Sequence, residues 1–174
     1  RKGPEMKERA IATDVAIAGQ GETITAVGTR TDLRKQFRNA REIDCKRGVL
    51  MPALVDSHTH AVFGAPRAAE HEMRAAGMDY MQIARQGGGI HSSVRDVRGR
   101  SERELLELAR VRVRRLASFG VGTIEVKSGY GLTLDDELKL LRVIRDLSAE
   151  LPMRLVPTFL GAHAFPPEFA EDKN

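Results

Sequence analysis

Three short apolar runs alternate with two long amphipathic segments in this chain, and that order is what most constrains its fold. The runs lie within 48–63, at 121–126 and at 155–160, and the segments between them begin at Ser101 and at Thr133. A strand, helix, strand, helix, strand order predicts a parallel sheet, because right-handed crossover helices return the chain to the same edge. We therefore expect an α/β fold.

The two amphipathic segments carry the sequence signals of helix ends as well as helical spacing. Ser101 and Glu104 form a capping-box pattern, and Gly120 and Pro152 mark where the two helices end. The apolar residues recur three or four positions apart, as expected for one buried helix face. They are Leu105, Ala109, Val113 and Leu116 in the first segment and Leu140, Leu141, Ile144 and Leu147 in the second.

Polar residues follow each of the three apolar runs. His58 and His60 follow the first, residues 127–131 (Lys-Ser-Gly-Tyr-Gly) follow the second, and residues 161–164 (Gly-Ala-His-Ala) follow the third. The carboxyl ends of parallel strands share one edge, so these clusters are expected to converge. Two histidines two residues apart project from the same face of a strand and can hold one metal ion, although a bare His-x-His also suits exposed or hydrogen-bonded histidines.

Less regular segments fill the rest of the chain. Residues 14–18 and 24–28 alternate in polarity around a Gly-rich turn and predict a hairpin, with further short strands at 42–44 and 48–50. Residues 64–74 are predicted to be irregular. A short helix is expected at 80–85, and the three glycines at 87–89 predict a flexible loop that approaches a ligand or serves as a plain linker.

Composition excludes several classes of protein. With 174 residues and 41% hydrophobic content, the chain suits one ordinary globular domain. Its net charge of +4 comes with no nucleic-acid motif, and no apolar segment approaches the roughly 20 residues that span a bilayer. A single cysteine, Cys45, favours the cytoplasm. The ends at Arg1 and Asn174 look cut, so we expect a piece of a longer enzyme.

Residues 52–60, Pro-Ala-Leu-Val-Asp-Ser-His-Thr-His, resemble the first barrel strand of the amidohydrolase superfamily. Residues 58–63, 87–90, 125–131 and 157–163 are more narrowly similar to the imidazolonepropionase family. The resemblance implies that residues 1–50 are part of a small β-sandwich domain. It implies that residues 51–174 are the first part of a (β/α)8 TIM-like barrel, in a cytoplasmic enzyme that is a homodimer.

The resemblance also implies roles for particular residues. His58 and His60 would ligate one Zn²⁺ or Fe ion per subunit, Arg67 would pair with a substrate carboxylate, and Tyr130 and His163 would contact the substrate ring. The remaining metal ligands and the catalytic Glu of the family are expected beyond this chain. The implied reaction hydrolyses 4-imidazolone-5-propanoate, a small molecule, to N-formimidoyl-L-glutamate in histidine degradation; nucleic acid and membranes are not expected partners.

Other interpretations stay open at this point. The whole protein is alternatively a related deaminase, another cyclic amidohydrolase, or a truncated ligand-binding protein without catalysis. Arg67 is alternatively a solvated charge, Tyr130 a packing residue and His163 a structural histidine. Lys127 is expected in an ion pair rather than as a carboxylated bridge between two metals. The two remaining histidines, His71 and His91, are expected at the surface or in loops.

Overall fold

The structure, a computed structural model, describes residues 11–169 and divides the chain into two compact units, residues 1–50 and 51–174. The assignment of these units to a β-sandwich domain and to a barrel stays a prediction. The expectations about the two chain ends concern residues 1–10 and 170–174, which lie outside the described residues.

The first unit contains the predicted hairpin. Strand β1 (Val15–Gln20) pairs antiparallel with β2 (Thr23–Thr29), and the turn between them places Gly21 at a φ of 60°. Helix α1 (Arg30–Gln36) follows directly, and the Thr29 side chain caps it by accepting a hydrogen bond from the Asp32 amide. The hairpin prediction is therefore confirmed.

The short strands predicted at 42–44 and 48–50 are wrong: neither segment pairs into a described sheet, and a tight turn lies between them. The Asp44 side chain accepts a hydrogen bond from the Lys46 amide, and the Gly48 amide donates to the Cys45 carbonyl. Lys46 and Arg47 both adopt left-handed backbone angles, with φ values of 49° and 60°. Local side-chain to backbone bonding of this kind competes with strand pairing.

The second unit is built on a parallel sheet in the order β3, β4, β5. Its strands are β3 (Leu54–Thr59), β4 (Val121–Lys127) and β5 (Arg154–Thr158). Helices α5 (Glu102–Ser118) and α6 (Leu134–Glu150) connect them, as the alternating sequence pattern predicts. This confirms an α/β fold with a parallel sheet. The described part of the chain contributes three parallel strands to this sheet.

Helices α5 and α6 begin and pack as their sequences predict. Ser101 and Glu104 form a reciprocal capping box, and the Thr133 hydroxyl caps α6 through the Asp136 amide. Their apolar faces pack with the sheet residues Ile124 and Val126 into one core. The helix residues in that core are Leu105, Ala109, Val113, Leu140, Val143, Ile144 and Leu147. Leu116 and Leu141, which are expected on these buried faces, are only partly buried against the core.

Three further helices lie between β3 and α5. Helix α3 (Tyr80–Arg85) has its predicted bounds, whereas α2 (Ala68–Ala75) and α4 (Ile90–Gly99) lie in segments where no helix is predicted. The irregular stretch expected at 64–74 is therefore helical from Ala68. No side chain caps α2 or α4. The N-cap residues are Arg67 for α2 and Gly89 for α4, and neither has a side-chain oxygen that could accept a hydrogen bond from the first turn.

The glycine segment before α4 is a packed turn rather than a flexible loop. Gly87 and Gly89 have φ values of 81° and 74°, and a Cβ on Gly88 would lie 2.7 Å from the Ile83 side chain. The Gly89 amide donates a hydrogen bond of 2.9 Å to the Glu70 carboxylate. The glycines thus bring the backbone close to neighbouring helices of the protein.

Two sequence peculiarities of the strands have local explanations. Ala53, directly before β3, faces Gly122, and a Cβ on Gly122 would lie 2.5 Å from that of Ala53. Only one of the two positions has room for a side chain. Pro157 lies inside β5, the edge strand of the described sheet. Proline has no amide hydrogen to donate, and at an edge strand this removes no hydrogen bond to a neighbouring strand of the described sheet.

None of the described helices combines the length and apolar character needed to cross a membrane.

Candidate active site

The three strand-end clusters converge around the ring of His60. This ring stacks on His163, with centroids 4.8 Å apart and planes within 16°, and lies 4.7 Å from the Tyr130 ring centroid. The Tyr130 and His163 centroids are 5.6 Å apart. Three residues separated by up to about a hundred positions in sequence therefore share one edge of the sheet. The geometric prediction of convergence is confirmed, while the chemical roles of the residues stay predictions.

His58 lies at the same strand end but is exposed. Its ring centroid is 6.0 Å from that of His60, with the two planes at 70°. The Asp56 side chain accepts a hydrogen bond of 3.3 Å from the His58 amide and so braces the end of the strand. The two imidazoles therefore lie next to each other at the end of β3.

Burial and neighbouring charge favour the neutral form of His60. Burial lowers the pKa of His60, and the neighbouring His163 and His58 imidazoles lower it further, because positive charges on adjacent rings would repel one another. Its Nδ1 atom is buried and has no hydrogen-bond partner among residues 11–169, which is a costly state for a polar nitrogen. A neutral imidazole with a free ring nitrogen is the form that binds a metal ion.

The residues present fit part of a metal site. Among residues 11–169, no group of three or more His, Cys, Asp or Glu side chains is arranged to hold a metal ion. Catalytic zinc usually takes three protein ligands and an open position. His58 and His60 therefore match two ligands of such a site, and the unpartnered Nδ1 of His60 fits a role in ligation.

Arg67 lies beside these rings, at the residue that precedes α2. It lines a cavity of about 320 Å³ together with His60, Tyr130 and Ser93. Its guanidinium is 3.6 Å from the Glu70 carboxylate, so it is an exposed charge with one nearby partner rather than an isolated one. An Arg at the wall of a cavity suits a carboxylate ligand, which its planar fork can bind through two parallel hydrogen bonds.

The loop after β4, residues 128–133, is held by a carboxylate that the sequence analysis missed. Glu137, on the first turn of α6, accepts hydrogen bonds from the amides of Gly129, Gly131 and Leu132 at 2.7, 2.7 and 2.8 Å. The Gly129 carbonyl in turn accepts a hydrogen bond of 3.0 Å from His163 Nδ1. The loop that carries Tyr130 is therefore fixed from the side of the helix.

The loop after β3, residues 61–67, is held by a cation that the sequence analysis also missed. Arg112 of α5 donates hydrogen bonds to the carbonyls of Ala61, Phe63 and Gly64, and its guanidinium carbon lies 3.5 Å from the centre of the Phe63 ring. Burial lowers the pKa of Arg112, and the charge of Arg100 lowers it further. Multiple carbonyl acceptors and an aromatic face suit a guanidinium better than an ammonium.

Asp96 of α4 gives the β3 loop a second anchor. Its carboxylate accepts a hydrogen bond of 2.7 Å from the Ala65 amide and pairs with Arg100 at 2.9 Å. The Arg100 hydrogen bond lowers the pKa of Asp96, and the Ala65 amide contributes in the same direction. Side-chain hydrogen bonds therefore hold the backbone between His60 and Arg67 at three carbonyl groups and at one amide group.

Lys127 forms the ion pair that its position at a strand end predicts. Its Nζ lies 2.6 Å from the Glu125 carboxylate, which also accepts a hydrogen bond of 2.7 Å from the Thr158 hydroxyl. The hydrogen bond from Lys127 is the largest cause of the lowered pKa of Glu125, followed by that from Thr158. The expectation for the other histidines holds only in part, because His71 is exposed on α2 whereas His91 is half-buried on α4.

A signal for both missed residues exists in the sequence. Glu137 precedes Leu140, Ile144 and Leu147 at the helical spacing of the buried face, so a carboxylate is placed where apolar residues are expected. Arg112 lies similarly between Ala109 and Leu116. A charged residue on the apolar face of a helix needs buried partners. Which partners it finds depends on loops that helical periodicity does not describe.

The amino-acid sequence of the chain was compared with those of known proteins. No protein-family model matches the chain. Over 97% of its length, the chain is 48% identical to an imidazolonepropionase of Chloroflexus aggregans and 48% identical to one of Solibacter usitatus. Over 95% of its length, it is 49% identical to an imidazolonepropionase of Shewanella amazonensis.

The matched region covers 40% or 41% of each of these proteins, so the chain spans about two fifths of the length of the curated relatives that it matches. That coverage is consistent with an N-terminal portion of such a protein. The chain is therefore similar in sequence to about two fifths of an imidazolonepropionase.

Proposed function

We propose that the complete protein containing this chain is a metal-dependent hydrolase that opens the ring of 4-imidazolone-5-propanoate to give N-formimidoyl-L-glutamate. The observation that carries the proposal is the meeting of His60, Tyr130 and His163 at one sheet edge beside the Arg67 cavity. Sequence identity of 48–49% to imidazolonepropionases supports the choice of substrate. In this proposal the parallel strands are the first part of a (β/α)8 barrel.

Each residue has a task in the reaction that its position suits. His58 and His60 hold one Zn²⁺ or Fe ion, with the remaining ligands supplied by parts of the protein outside this chain. When bound, such an ion lowers the pKa of a water molecule and polarises the amide carbonyl. Arg67 pairs with the propionate carboxylate and so orients the substrate, because a fixed carboxylate leaves the ring few ways to lie in the cavity.

Tyr130 and His163 present polar atoms to the imidazolone ring. The Gly129 carbonyl can only accept a hydrogen bond, so His163 Nδ1 donates to it, and in the neutral ring Nε2 is left as an acceptor. A Nε2 acceptor and a Tyr hydroxyl together recognise a ring with N–H and carbonyl groups. Hydrolysis breaks the ring C–N amide bond, with the water oxygen passing to the acyl carbon and a proton to the departing nitrogen.

The test is turnover of 4-imidazolone-5-propanoate by the complete metal-loaded protein, its His58→Ala variant and a His71→Ala control. His71 is an exposed histidine on α2 with no part in the proposed site. We expect wild-type turnover, loss of at least about a hundredfold in kcat/KM for His58→Ala, and no change for His71→Ala. Undiminished turnover in His58→Ala would contradict the metal assignment.

The same assay separates the competing functions. Wild-type protein that ignores imidazolone propionate but hydrolyses another cyclic amide, or releases ammonia from a related ring, is a different member of the superfamily. Wild-type protein that binds imidazolone propionate without converting it is a ligand-binding protein.

A further inference from the structure

Glu137 is a buried carboxylate whose partners are all backbone amides. Only 1% of its surface is exposed, and among the described residues no cation pairs with it. Burying an ionised carboxyl is costly unless hydrogen bonds to the charged form compensate. The three amides of Gly129, Gly131 and Leu132 supply them, with Oε2 bound to the first and Oε1 to the other two.

These three bonds enclose Tyr130. The residues on both sides of it, Gly129 and Gly131, donate to the same carboxyl group, so both flanking backbone segments are fixed relative to α6. The loop also contains Leu132 at a φ of 56°, a left-handed conformation that is unfavourable for a branched side chain. Bonding of the Leu132 amide to Glu137 helps to maintain that conformation.

The same carboxylate acts on His163 through one peptide group. Gly129 has a φ of 114° and passes close under the imidazole, since a Cβ at this position would lie 2.9 Å from His163 Nδ1. The amide of Gly129 is bound to Glu137, and its carbonyl is bound to His163. Displacement of this residue would therefore move the acceptor that orients the His163 ring.

We propose that Glu137 is the positioning residue that holds Tyr130 at the substrate cavity and His163 against the His60 ring, which also lines that cavity. The proposal rests on the proposed function in that these two side chains are taken to contact substrate. The loop lies between Glu137 and the cavity. Glu137 therefore acts on the two side chains through the backbone amides of the loop. A single buried carboxylate thus couples two contacts that are separated by 33 residues in sequence.

The test is Glu137→Gln in the complete metal-loaded protein. Glutamine keeps the shape but has one oxygen, so its amino group must face at least one of the backbone amides, donor against donor. Glu150→Gln on the same helix is the matched control, because Glu150 pairs at the surface with Arg110 at 2.7 Å, far along the helix from the loop. Kinetic constants are normalised to the metal-loaded fraction.

We expect Glu137→Gln to raise KM by about tenfold or more at unchanged metal content, and Glu150→Gln to leave KM unchanged. Combining Glu137→Gln with Tyr130→Phe is expected to cost less than the product of the two separate effects, because both act on the same contact. An unchanged KM with only a lower folded fraction would assign Glu137 to stability alone and overturn the proposal. Fully multiplicative effects would overturn it as well.

A second readout needs no substrate. The ring ¹⁵N shifts of His163 in the complete protein report the hydrogen bond from Nδ1 to Gly129, and we expect them to change in Glu137→Gln but not in Glu150→Gln. Unchanged shifts would contradict the proposal even if the wild type fails to convert imidazolone propionate, which separates this inference from the proposed function. If Glu137→Gln does not fold, Glu137→Asp, which keeps the charge but draws the oxygens back, is expected to show the same KM and shift changes.

Discussion

The loops after β3 and β4 perform the same task with opposite chemistry. The β3 loop, residues 61–67, is held through three carbonyls by the cation Arg112 and leads from His60 to Arg67. The β4 loop, residues 128–133, is held through three amides by the anion Glu137 and carries Tyr130. In each case a helix that leads to the next strand, α5 for the β3 loop and α6 for the β4 loop, supplies the charge that complements the exposed backbone groups.

The difference between the loops lies in how closely they are packed. Arg112 is half-buried and rests on the Phe63 ring, whereas Glu137 is fully buried under its loop. The β3 loop therefore has flexible side chains around it, and the β4 loop lies directly on the backbone of α6. Two loops that each make three backbone hydrogen bonds to one charged side chain can therefore differ in how strongly a substitution destabilises them. Matched substitutions in the two loops test this difference.

The largest expected effect comes from adding a methyl group to the β4 loop. A Cβ on Gly131 would lie 2.6 Å from the Glu137 amide nitrogen and 2.7 Å from the Asp136 carbonyl carbon, which are backbone atoms that cannot rotate away. We expect Gly131→Ala to lower the free energy of unfolding by about 3 kcal/mol, at the upper end for overpacking. Urea unfolding of the complete protein measures it.

The matched substitution in the β3 loop is Gly64→Ala, whose Cβ would meet the Asp96 side chain. That side chain can turn aside at the cost of its bonds to Ala65 and Arg100, so we expect a loss of only about 1–2 kcal/mol. Equal losses in the two variants would remove the proposed difference between the loops.

An intermediate effect is expected from removing the β3-loop cation. Arg112→Met keeps the apolar stem and contact with Phe63 but leaves the carbonyls of Ala61, Phe63 and Gly64 without this donor. We expect a loss of about 2 kcal/mol, reduced because water reaches part of this site. Differential scanning calorimetry measures the loss, and Arg114→Met, an exposed arginine on the same helix, is the control.

The smallest expected effect is a pH dependence at Asp96. Its folded-state pKa is depressed below the ordinary 3.8, chiefly by Arg100, so its ionised form stabilises the fold above that value and the contribution is lost as the pH falls through the folded-state pKa. We expect Asp96→Asn to lower the free energy of unfolding by less than about 1 kcal/mol at pH 7. Unfolding curves that continue from pH 7 to about pH 2 should show this difference shrinking below pH 3.8. A difference that stays constant over this whole range would mean that the charge of Asp96 is irrelevant to the β3 loop.

Sequence predicts the frame of this molecule better than its details. Helices α5 and α6 combine caps with a regular apolar face, so their existence, order and parallel sheet follow from local signals. Helix α2 escapes prediction because it has no side-chain cap and buries no residue, so neither usual signal is present. The turn at 45–48 depends on the Asp44 side chain bonding to the backbone, which strand alternation does not register.

The candidate site divides in the same way. Convergence of His60, Tyr130 and His163 follows from parallel topology alone, which places every strand's carboxyl end on one edge. The anchoring by Glu137 and Arg112 does not follow, because it joins a side chain to the backbone of a loop 5 to 51 residues away and leaves no periodic trace. A charged residue on an apolar helix face indicates that a partner exists, but only the folded geometry identifies it.

The most direct test of the central claim, that His58 and His60 form part of a metal centre, is the metal content of the complete protein. Elemental analysis of purified wild type and of a His58→Ala/His60→Ala variant, each dialysed against the same Zn²⁺ or Fe²⁺ buffer, gives the ratio of ions to chains. We expect about one ion per chain in the wild type and less than about a tenth of that in the variant. Equal metal content in the two proteins would contradict the claim.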